Sequence, residues 1–177
     1  MPESILVGYA SRYGSTREVA EAVAAILSEK GLDVDLQPLR KVESLESYRA
    51  VVLGAPLFIG LWHKDARNFL ARNREALAKL PVAIFTLGPL NKEEKDWAEV
   101  KGQLDKELAK YPWLKPVASE LFGGKYDPGK LRFPYKLLVT MPASPLRHMP
   151  ASDARDWEKI RSWAAGLARP LRPNKPK

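Results

Sequence analysis

The sequence predicts an α/β protein built on an open, doubly wound parallel sheet. Segments of strand length alternate with segments of helical period along most of the chain. The strand segments 4–9, 50–55 and 82–87 are almost continuously apolar, as is typical of parallel strands that are covered on both faces. With 177 residues, the chain is long enough for one such sheet and too short for a closed eight-fold barrel.

The elements follow one another in a regular order. Five strands are predicted, at 4–9, 33–38, 50–55, 82–87 and 117–122. Four helices are predicted, at 15–30, 62–78, 92–110 and 153–168, and residues 39–48 have room for only a short helical turn. Right-handed crossovers between such strands give the sheet order 2-1-3-4-5, with helices on both faces.

The first predicted helix shows the pattern most clearly. Apolar residues recur on one face of segment 15–30, and glutamates occupy the other face. Gly31 follows directly, and glycine is the residue expected at a left-handed helix stop. At the other end, Ser15 and Glu18 have the spacing of a capping box, which leaves two interpretations of Ser15: a helix cap alone, or part of a ligand site at the helix start.

Two segments fall outside the alternation of strands and helices. Residues 123–152 contain five prolines, which disfavour a long regular helix. From Arg169 onward the chain has four basic residues and no acid, and its prolines and charge are typical of disorder. The sequence therefore predicts one domain, 1–168, with an irregular insertion at 123–152, followed by a disordered basic Pro-rich tail, 169–177.

Composition narrows the classes of function. The net charge is +8, and half of it lies in the predicted tail, so the folded part has less charge than a nucleic-acid binder usually concentrates on one face. The chain has no cysteine and two histidines, so neither thiolate catalysis nor a metal site is predicted. No apolar run approaches the roughly 20 residues of a membrane span, and the first residues lack a secretory pattern, so we expect a cytoplasmic location.

The turn between the first strand and the first helix is the candidate binding site. Ligands of such sheets bind beyond the carboxyl ends of the strands where the strand order reverses, which here lies above strands one and three. The turn "SRYGST", 11–16, brings three hydroxyls and a glycine to a helix N-terminus, whose free amides favour a phosphate. The sequence lacks a P-loop glycine-lysine pair, a G-x-G-x-x-G pattern and the acids of a phospho-acceptor domain, so these three kinds of site are not predicted.

The remaining pattern resembles that of flavodoxins. "SRYGST" is similar to the flavodoxin phosphate loop, S/T-x-T-G-x-T, with Tyr13 in place of the middle threonine. "GAPLFIGLWHKDARNFL", 54–70, resembles the loop after strand three in flavodoxin-domain proteins of the menaquinone-dependent protoporphyrinogen dehydrogenase type. "TLGPL", 86–90, stands where the second flavin-ring loop belongs, and "RDWEKIRSWAAGLA", 155–168, resembles the final helix of that family. The resemblance covers about residues 4–168 and implies a flavodoxin-like fold that binds FMN.

The resemblance also implies a role for each loop. The residues that would cradle the phosphate are Ser11, Arg12, Tyr13, Gly14, Ser15 and Thr16. The residues that would border the flavin ring are Leu57, Phe58, Ile59, Gly60 and Trp62. Of these, Phe58 or Trp62 would stack on the ring, and the amides near Ile59 and Gly60 would bond it. From the neighbouring loop, Leu87, Gly88 and Pro89 would flank the ring. Thr86 of the same loop would approach the ribityl chain. No catalytic side chain is predicted, and His63 and His148 are interpreted as surface residues.

The implied function is that of an FMN-binding flavoprotein in oxidoreduction or electron transfer. A quinone, a porphyrin-type compound and NAD(P)H all stay open as substrate or redox partner, because the insertion does not closely match that of the protoporphyrinogen dehydrogenases. Its mixture of basic and apolar residues suits a quinone, a carboxylated tetrapyrrole, a peripheral membrane contact or simple packing over the sheet edge. The alternative from another class is a cofactor-free flavodoxin-like module that docks a protein or anionic partner through its basic surface.

Overall fold

A parallel sheet of five main strands forms the centre of the computed structural model, which describes residues 2–144 and 146–172. The strands, in chain order, are β1 (Ser4–Tyr9), β2 (Val34–Pro38), β3 (Tyr48–Phe58), β4 (Leu61–Trp62), β5 (Val82–Leu87), β6 (Ala118–Phe122), β7 (Lys125–Tyr126) and β8 (Ser152–Asp153). The α-helices are α1 (Ser15–Glu29), α2 (Lys64–Arg72), α3 (Arg74–Leu77), α4 (Glu94–Leu108), α5 (Tyr135–Thr140) and α6 (Trp157–Leu167). Short 3₁₀ turns lie at Leu39–Lys41 and Pro128–Lys130.

The sheet has the predicted topology. Its main strands lie in the order β2-β1-β3-β5-β6, and every neighbouring pair is parallel. Counted among the main strands alone, this is the predicted order 2-1-3-4-5, so the doubly wound α/β fold is confirmed. Since β1 lies between β2 and β3, the strand order reverses at β1, and the turns after β1 and β3 meet at the carboxyl edge of the sheet.

The segment after β3 differs from the prediction. β3 is longer than predicted, and it continues through a tight turn into the antiparallel β4, where Trp62 pairs with Leu57. The predicted helix 62–78 therefore begins only at Lys64, and it is divided into α2 and α3 at Asn73. The last helix likewise starts later than predicted, at Trp157, because β8 occupies Ser152–Asp153 and the Asp156 side chain caps α6 by accepting from the Lys159 amide.

Two apolar cores cover the two faces of the sheet. Alternation along β1 sends Ile5 and Val7 to one face and Leu6 to the other. On the first face, α1 and α6 pack over the sheet, and on the second face the buried residues of α2 and α4 do so. Within residues 2–144 and 146–172, no helix has both the length and the apolar character that a membrane crossing requires.

The insertion and the tail complete the chain. The insertion begins at β7, whose two residues pair with β8 at the end of the insertion, and α5 between them has six residues.

The core extends past the predicted domain boundary at Ala168, because Leu171, the one aliphatic residue of the basic segment, is buried among the residues of the first core. Arg49 also donates a hydrogen bond to the Leu171 carbonyl. The predicted disorder is therefore wrong for Leu171, and residues 173–177 lie outside the described part of the chain.

Gly54 tests how tightly β3 is packed. A Cβ atom at Gly54 would lie 2.0 Å from Cζ of Phe85, whose ring is held between Phe122 and Trp163. We expect Gly54→Ala to lower the free energy of unfolding by about 1–3 kcal/mol, the usual cost of overpacking a core. Urea denaturation measures the change.

Gly102→Ala is the matched control. Gly102 lies inside α4, and a Cβ atom there meets no other atom within 4 Å among the described residues. Alanine is therefore expected to raise the free energy of unfolding by about 0.5–1 kcal/mol. Equal stabilities of the Gly54→Ala variant and the natural chain would contradict the packing described for β3.

Candidate functional site

A cleft of about 330 Å³ opens at the carboxyl edge of the sheet. Four segments line it: the turn after β1, the β3–β4 hairpin, the loop after β5 and the insertion. Representative lining residues from these segments, in that order, are Tyr13, Thr16, Phe58, Trp62, Gly88 and Lys125. The three loops that the sequence predicted as ligand loops therefore border one cleft, at the place where the strand order reverses.

The start of α1 differs from the predicted capping box. Gly14, with φ 93°, is the N-cap residue, and its carbonyl accepts the first helical hydrogen bond from the Glu18 amide at 3.0 Å. The Ser11 hydroxyl accepts from the Gly14 amide at 3.0 Å, and no side chain caps the helix. The alternative interpretation of Ser15 as a helix cap alone therefore does not hold, because the left-handed glycine takes the cap position and Ser15 begins the helix. The first amides of α1 then have no acceptor inside the helix.

Two residues at the start of α1 have buried hydroxyls. In the described part of the chain, neither Thr16 Oγ1 nor the hydroxyl of Tyr13 has a hydrogen-bond partner. Thr16 is only 1% exposed, and both residues line the cleft. A buried hydroxyl without a partner costs about 1–3 kcal/mol, so a ligand that offers acceptor oxygens here would remove that cost. Free amides, two unpartnered hydroxyls and the positive end of a helix fit a phosphate group.

The remaining residues of the turn are arranged around this point. Arg12 lines the cleft, and its guanidinium lies 4.3 Å from the ring centroid of Tyr135 in the insertion. Ser15 also lines the cleft. Ser11 and Gly14 instead border a smaller neighbouring cavity of about 210 Å³. The structure therefore brings four of the six predicted turn residues to the main cleft and leaves two at its side.

Arg155 holds the start of α1 from behind, and sequence reasoning missed it. Its side chain is almost fully buried and donates to the carbonyl of Ser15 at 3.3 Å and to Glu18 Oε2 at 2.5 Å. It also donates to both carboxylate oxygens of Asp153, at 2.9 and 2.8 Å, and these hydrogen bonds lower the pKa of that carboxyl. Arg155 and Glu18 lie 137 residues apart along the chain, so no local pattern could have revealed their contact.

The apolar wall of the cleft comes from the second and third predicted loops. Leu57, Phe58, Leu87 and Gly88 line it, as predicted for the neighbours of a flat ring. The Phe58 ring is 50% exposed, so one face is available to a ligand. Pro89 does not line the cleft, and its carbonyl accepts a hydrogen bond from the Gly124 amide at 2.7 Å, which joins this loop to the insertion.

Ile59 and Gly60 form the tip of the β3–β4 hairpin rather than the cleft wall. Both have positive φ, 49° and 74°, as the two central residues of a type I′ hairpin turn require. For Ile59 this is unusual, because a β-branched residue rarely adopts the left-handed region. The Ile59 side chain is 79% exposed and points away from the core.

Trp62 and Thr86 are more deeply buried than predicted. Trp62 is 1% exposed, and its Nε1 donates to Thr86 Oγ1 at 3.1 Å. Its ring also packs against Tyr111, with centroids 5.8 Å apart. Because the ring is enclosed, Phe58 rather than Trp62 has a free face for stacking. Thr86 is completely buried, so the predicted position of its side chain beside a ribityl chain does not agree with the structure.

A buried carboxylate supports the hairpin from the opposite side. Glu107 on α4 is completely buried, and its Oε1 accepts a hydrogen bond from the backbone amide of Trp62 at 3.4 Å. Its other oxygen pairs with Lys110, whose side chain reaches solvent. Sequence reasoning missed Glu107 because its position in the α4 pattern is that of one acid among several. The hydrogen bond from the Trp62 amide to Glu107 joins the backbone of β4 to α4, and both residues of β4 line the cleft.

His63 is part of the helix start after the hairpin, not a surface residue as interpreted from the sequence. Its side chain is 14% exposed and lines the cleft. Its Nδ1 accepts a hydrogen bond from the Asp65 amide at 3.1 Å and so caps α2. Burial lowers the pKa of His63, and nearby Arg12 and Arg67 add to this effect against the opposing charge of Asp65. His63 therefore acts as a neutral acceptor.

Comparisons with known proteins agree with this architecture. The family model described as "Flavodoxin domain" matches residues 6–150. Protoporphyrinogen IX dehydrogenase (quinone) of Escherichia coli strain K12 is 25% identical over 169 residues, which cover 92% of this chain and 93% of that protein. Flavodoxin 2 of Bacillus cereus superposes with a TM-score of 0.60 at 22% identity, over 94% of this chain and 99% of that one. A flavodoxin from the domain Archaea gives a TM-score of 0.58 at 15% identity, over 95% of this chain and 98% of that one.

The pH dependence of stability tests the capping role of His63. Because its pKa is lower in the folded state, the unfolded chain binds the proton more readily below the ordinary value of 6.5. The stabilisation that neutral His63 provides is therefore complete above pH 6.5 and decreases as the pH falls below that value. His63→Asn keeps a capping oxygen but cannot titrate.

Between about pH 7.5 and about pH 5.5, we expect the natural chain to lose more unfolding free energy than the His63→Asn variant does. Urea denaturation at the two pH values measures both chains. Parallel losses would show that the imidazole does not accept the Asp65 amide as described.

Proposed function

The chain belongs to the flavodoxin domain family, and on that premise we propose that it binds FMN in the cleft and acts as an FMN-dependent oxidoreductase. The observation that carries the proposal is the buried, unpartnered hydroxyl of Thr16 in the first turn of α1, with a second such hydroxyl on Tyr13, which also lines the cleft. Such a set of donors suits a dianionic phosphate, which ends the ribityl chain of FMN. When bound, FMN supplies a ring that accepts and returns electrons.

The phosphate end of the site is proposed to work without a lysine in the turn. The amides at the start of α1 and the Thr16 hydroxyl donate to the phosphate, and the helix dipole favours its negative charge. Arg155 holds the first turn of α1 in place through Ser15 and Glu18. Tyr13 replaces the middle threonine of the usual flavodoxin loop, and its unpartnered hydroxyl is proposed as a further donor in the cleft.

The ring end is proposed to lie along the hairpin and the loop after β5. Phe58, with its half-exposed ring, is the proposed stacking partner, and Leu57 and Leu87 exclude water beside it. The amides of Ile59 and Gly60 at the hairpin tip are proposed to bond the polar edge of the flavin. Their positions depend on the contact between Glu107 and the Trp62 amide, because β4 is the return strand of that hairpin.

For the substrate, we propose a quinone or a compound of the protoporphyrinogen type. The support is the relative from Escherichia coli, whose name gives both compounds, and the lining of the cleft on the insertion side. There, apolar Leu131 and Leu146 lie beside the cationic Lys125 and Lys130. An apolar pocket with a few charged groups suits a large hydrophobic molecule that also has acidic or carbonyl oxygens.

Thr16→Val tests the assignment of the phosphate site. Valine has nearly the same shape as threonine but lacks the hydroxyl, so the fold is retained and one hydrogen bond to a charged phosphate is lost. We expect FMN to bind about 10- to 100-fold more weakly, the usual value of such a bond. Titration of the apoprotein into FMN, followed by quenching of the flavin fluorescence, gives the dissociation constants.

Riboflavin and Ser28→Ala serve as controls. Riboflavin has no phosphate, so its affinity is expected to be the same for the Thr16→Val variant and the natural chain. Ser28 is exposed near the far end of α1, and its replacement should leave both ligands unaffected. The proposal fails if the natural chain cannot bind FMN, or if Thr16→Val binds FMN as tightly as the natural chain does.

A further inference from the structure

We propose that the face around the cleft mouth docks on the surface of an anionic membrane, so that a lipid-dissolved substrate enters the cleft from the bilayer. The docking face, called here the mouth patch, consists of Ile59, Phe133, Leu137 and Met141. The route of the substrate rests on the function proposed above. The docking itself depends only on the surface of the chain.

Exposed apolar side chains are concentrated in this patch. Among the described residues, seven large apolar side chains are exposed, and six of them lie in the β3–β4 hairpin or the insertion. Ile59 and Phe133 are each 79% exposed. The seventh, Val117, directly precedes β6 and therefore lies at the opposite edge of the sheet. Single exposed apolar residues are ordinary, but a concentration of them marks a surface that binds something.

The hairpin and the insertion form one continuous surface. The ring of Tyr135 packs edge-on against Phe58, with centroids 5.7 Å apart, so α5 lies next to the hairpin. Leu137 and Met141 are four residues apart along this helical turn and therefore project from the same side. Phe58 and Tyr135 also line the cleft. The mouth patch thus lies beside the entrance to the proposed flavin site.

The charge of the insertion identifies the partner. Residues 123–152 contain five basic residues and one acid, so the insertion holds half of the net charge of +8. Lys130, Arg132 and Lys136 are exposed, and they flank Phe133 and the start of α5. Apolar side chains flanked by lysine and arginine are the pattern of segments that bind at a membrane interface, where the cations meet anionic headgroups. A protein partner would favour fewer lysines at its contact surface.

Docking in this orientation has a consequence for the reaction. The apolar side chains of the patch would enter the headgroup region, and the cleft beside them would open toward the lipid. A hydrophobic quinone or porphyrinogen would then pass from the bilayer to the ring-binding wall without crossing water. The mixed basic and apolar lining of the insertion side, at Lys125 and Leu131, lies along that route.

Co-sedimentation with vesicles tests the proposal, with the full chain loaded with FMN. The natural chain is expected to sediment with vesicles of phosphatidylcholine and phosphatidylglycerol and to stay in the supernatant with phosphatidylcholine alone. The double variant Phe133→Ser, Leu137→Ser is expected to bind the anionic vesicles about tenfold more weakly. A second variant, Lys130→Gln, Arg132→Gln, Lys136→Gln, removes the charge from the same face and is expected to lose at least as much.

Two controls locate the effect. Val117→Ser removes an exposed apolar side chain at the opposite edge of the sheet and is expected to bind vesicles as the natural chain does. Lys175→Gln, Lys177→Gln removes charge from the tail and is expected to retain most of the binding. The proposal is overturned if the natural chain does not sediment with anionic vesicles, if both patch variants bind normally, or if only the tail variant loses binding.

The flavin is measured separately in the same samples by its visible absorption. The Phe133→Ser, Leu137→Ser variant is expected to retain FMN in solution, because neither residue lines the cleft. A chain that binds vesicles through the patch but does not bind FMN would support the docking face and contradict the proposed function. A chain that binds FMN but not vesicles would support the proposed function and contradict the docking face.

Discussion

The amides at the start of α1 have no acceptor inside their own helix, and the position of those amides is the constraint on which the proposed site depends. The sheet order places β1 between β2 and β3, so the turn after β1 lies where the turn after β3 also ends. Gly14 adopts the left-handed conformation that leaves this helix start without a side-chain cap. Thr16 then lies buried beside free amides, with an unpartnered hydroxyl. These features together make a place for an anion rather than a plain connection.

Distant parts of the chain hold this corner in shape. Arg155 joins the segment after the insertion to the first turn of α1, and its two carboxylate partners, Glu18 and Asp153, balance its charge. On the other side of the cleft, Glu107 binds the Trp62 amide. Trp62 in turn donates to the buried Thr86 hydroxyl. The phosphate end and the ring end of the proposed site are thus supported by buried polar contacts, which keep both ends in one geometry before a ligand arrives.

The centre of the sheet could be predicted from the sequence because β1, β3 and β5 are buried on both faces and therefore read as almost uninterrupted apolar runs. The converging loops followed from the sheet order. The details of the site did not. The hairpin between Phe58 and Leu61 needs a positive φ at Ile59, which a β-branched residue avoids. The sequence therefore did not indicate a hairpin there, and the predicted helix began at Trp62 instead of Lys64. Ser11 and Ser15 are both able to bond a helix start, and only the three-dimensional turn decides between them. The contacts of Arg155 join residues far apart along the chain, which no local pattern shows.

A phosphate held by the turn after β1 is the central feature of the proposed site, and phosphorus NMR of the FMN complex tests it most directly. A free phosphate monoester gains a proton near pH 6, and its resonance moves as it does so. Amide donors and the helix dipole favour the dianion, so the resonance of bound FMN should stay constant between about pH 5 and about pH 8. A bound phosphate that titrates like free FMN would contradict the account, because the group would then lie in water rather than against α1.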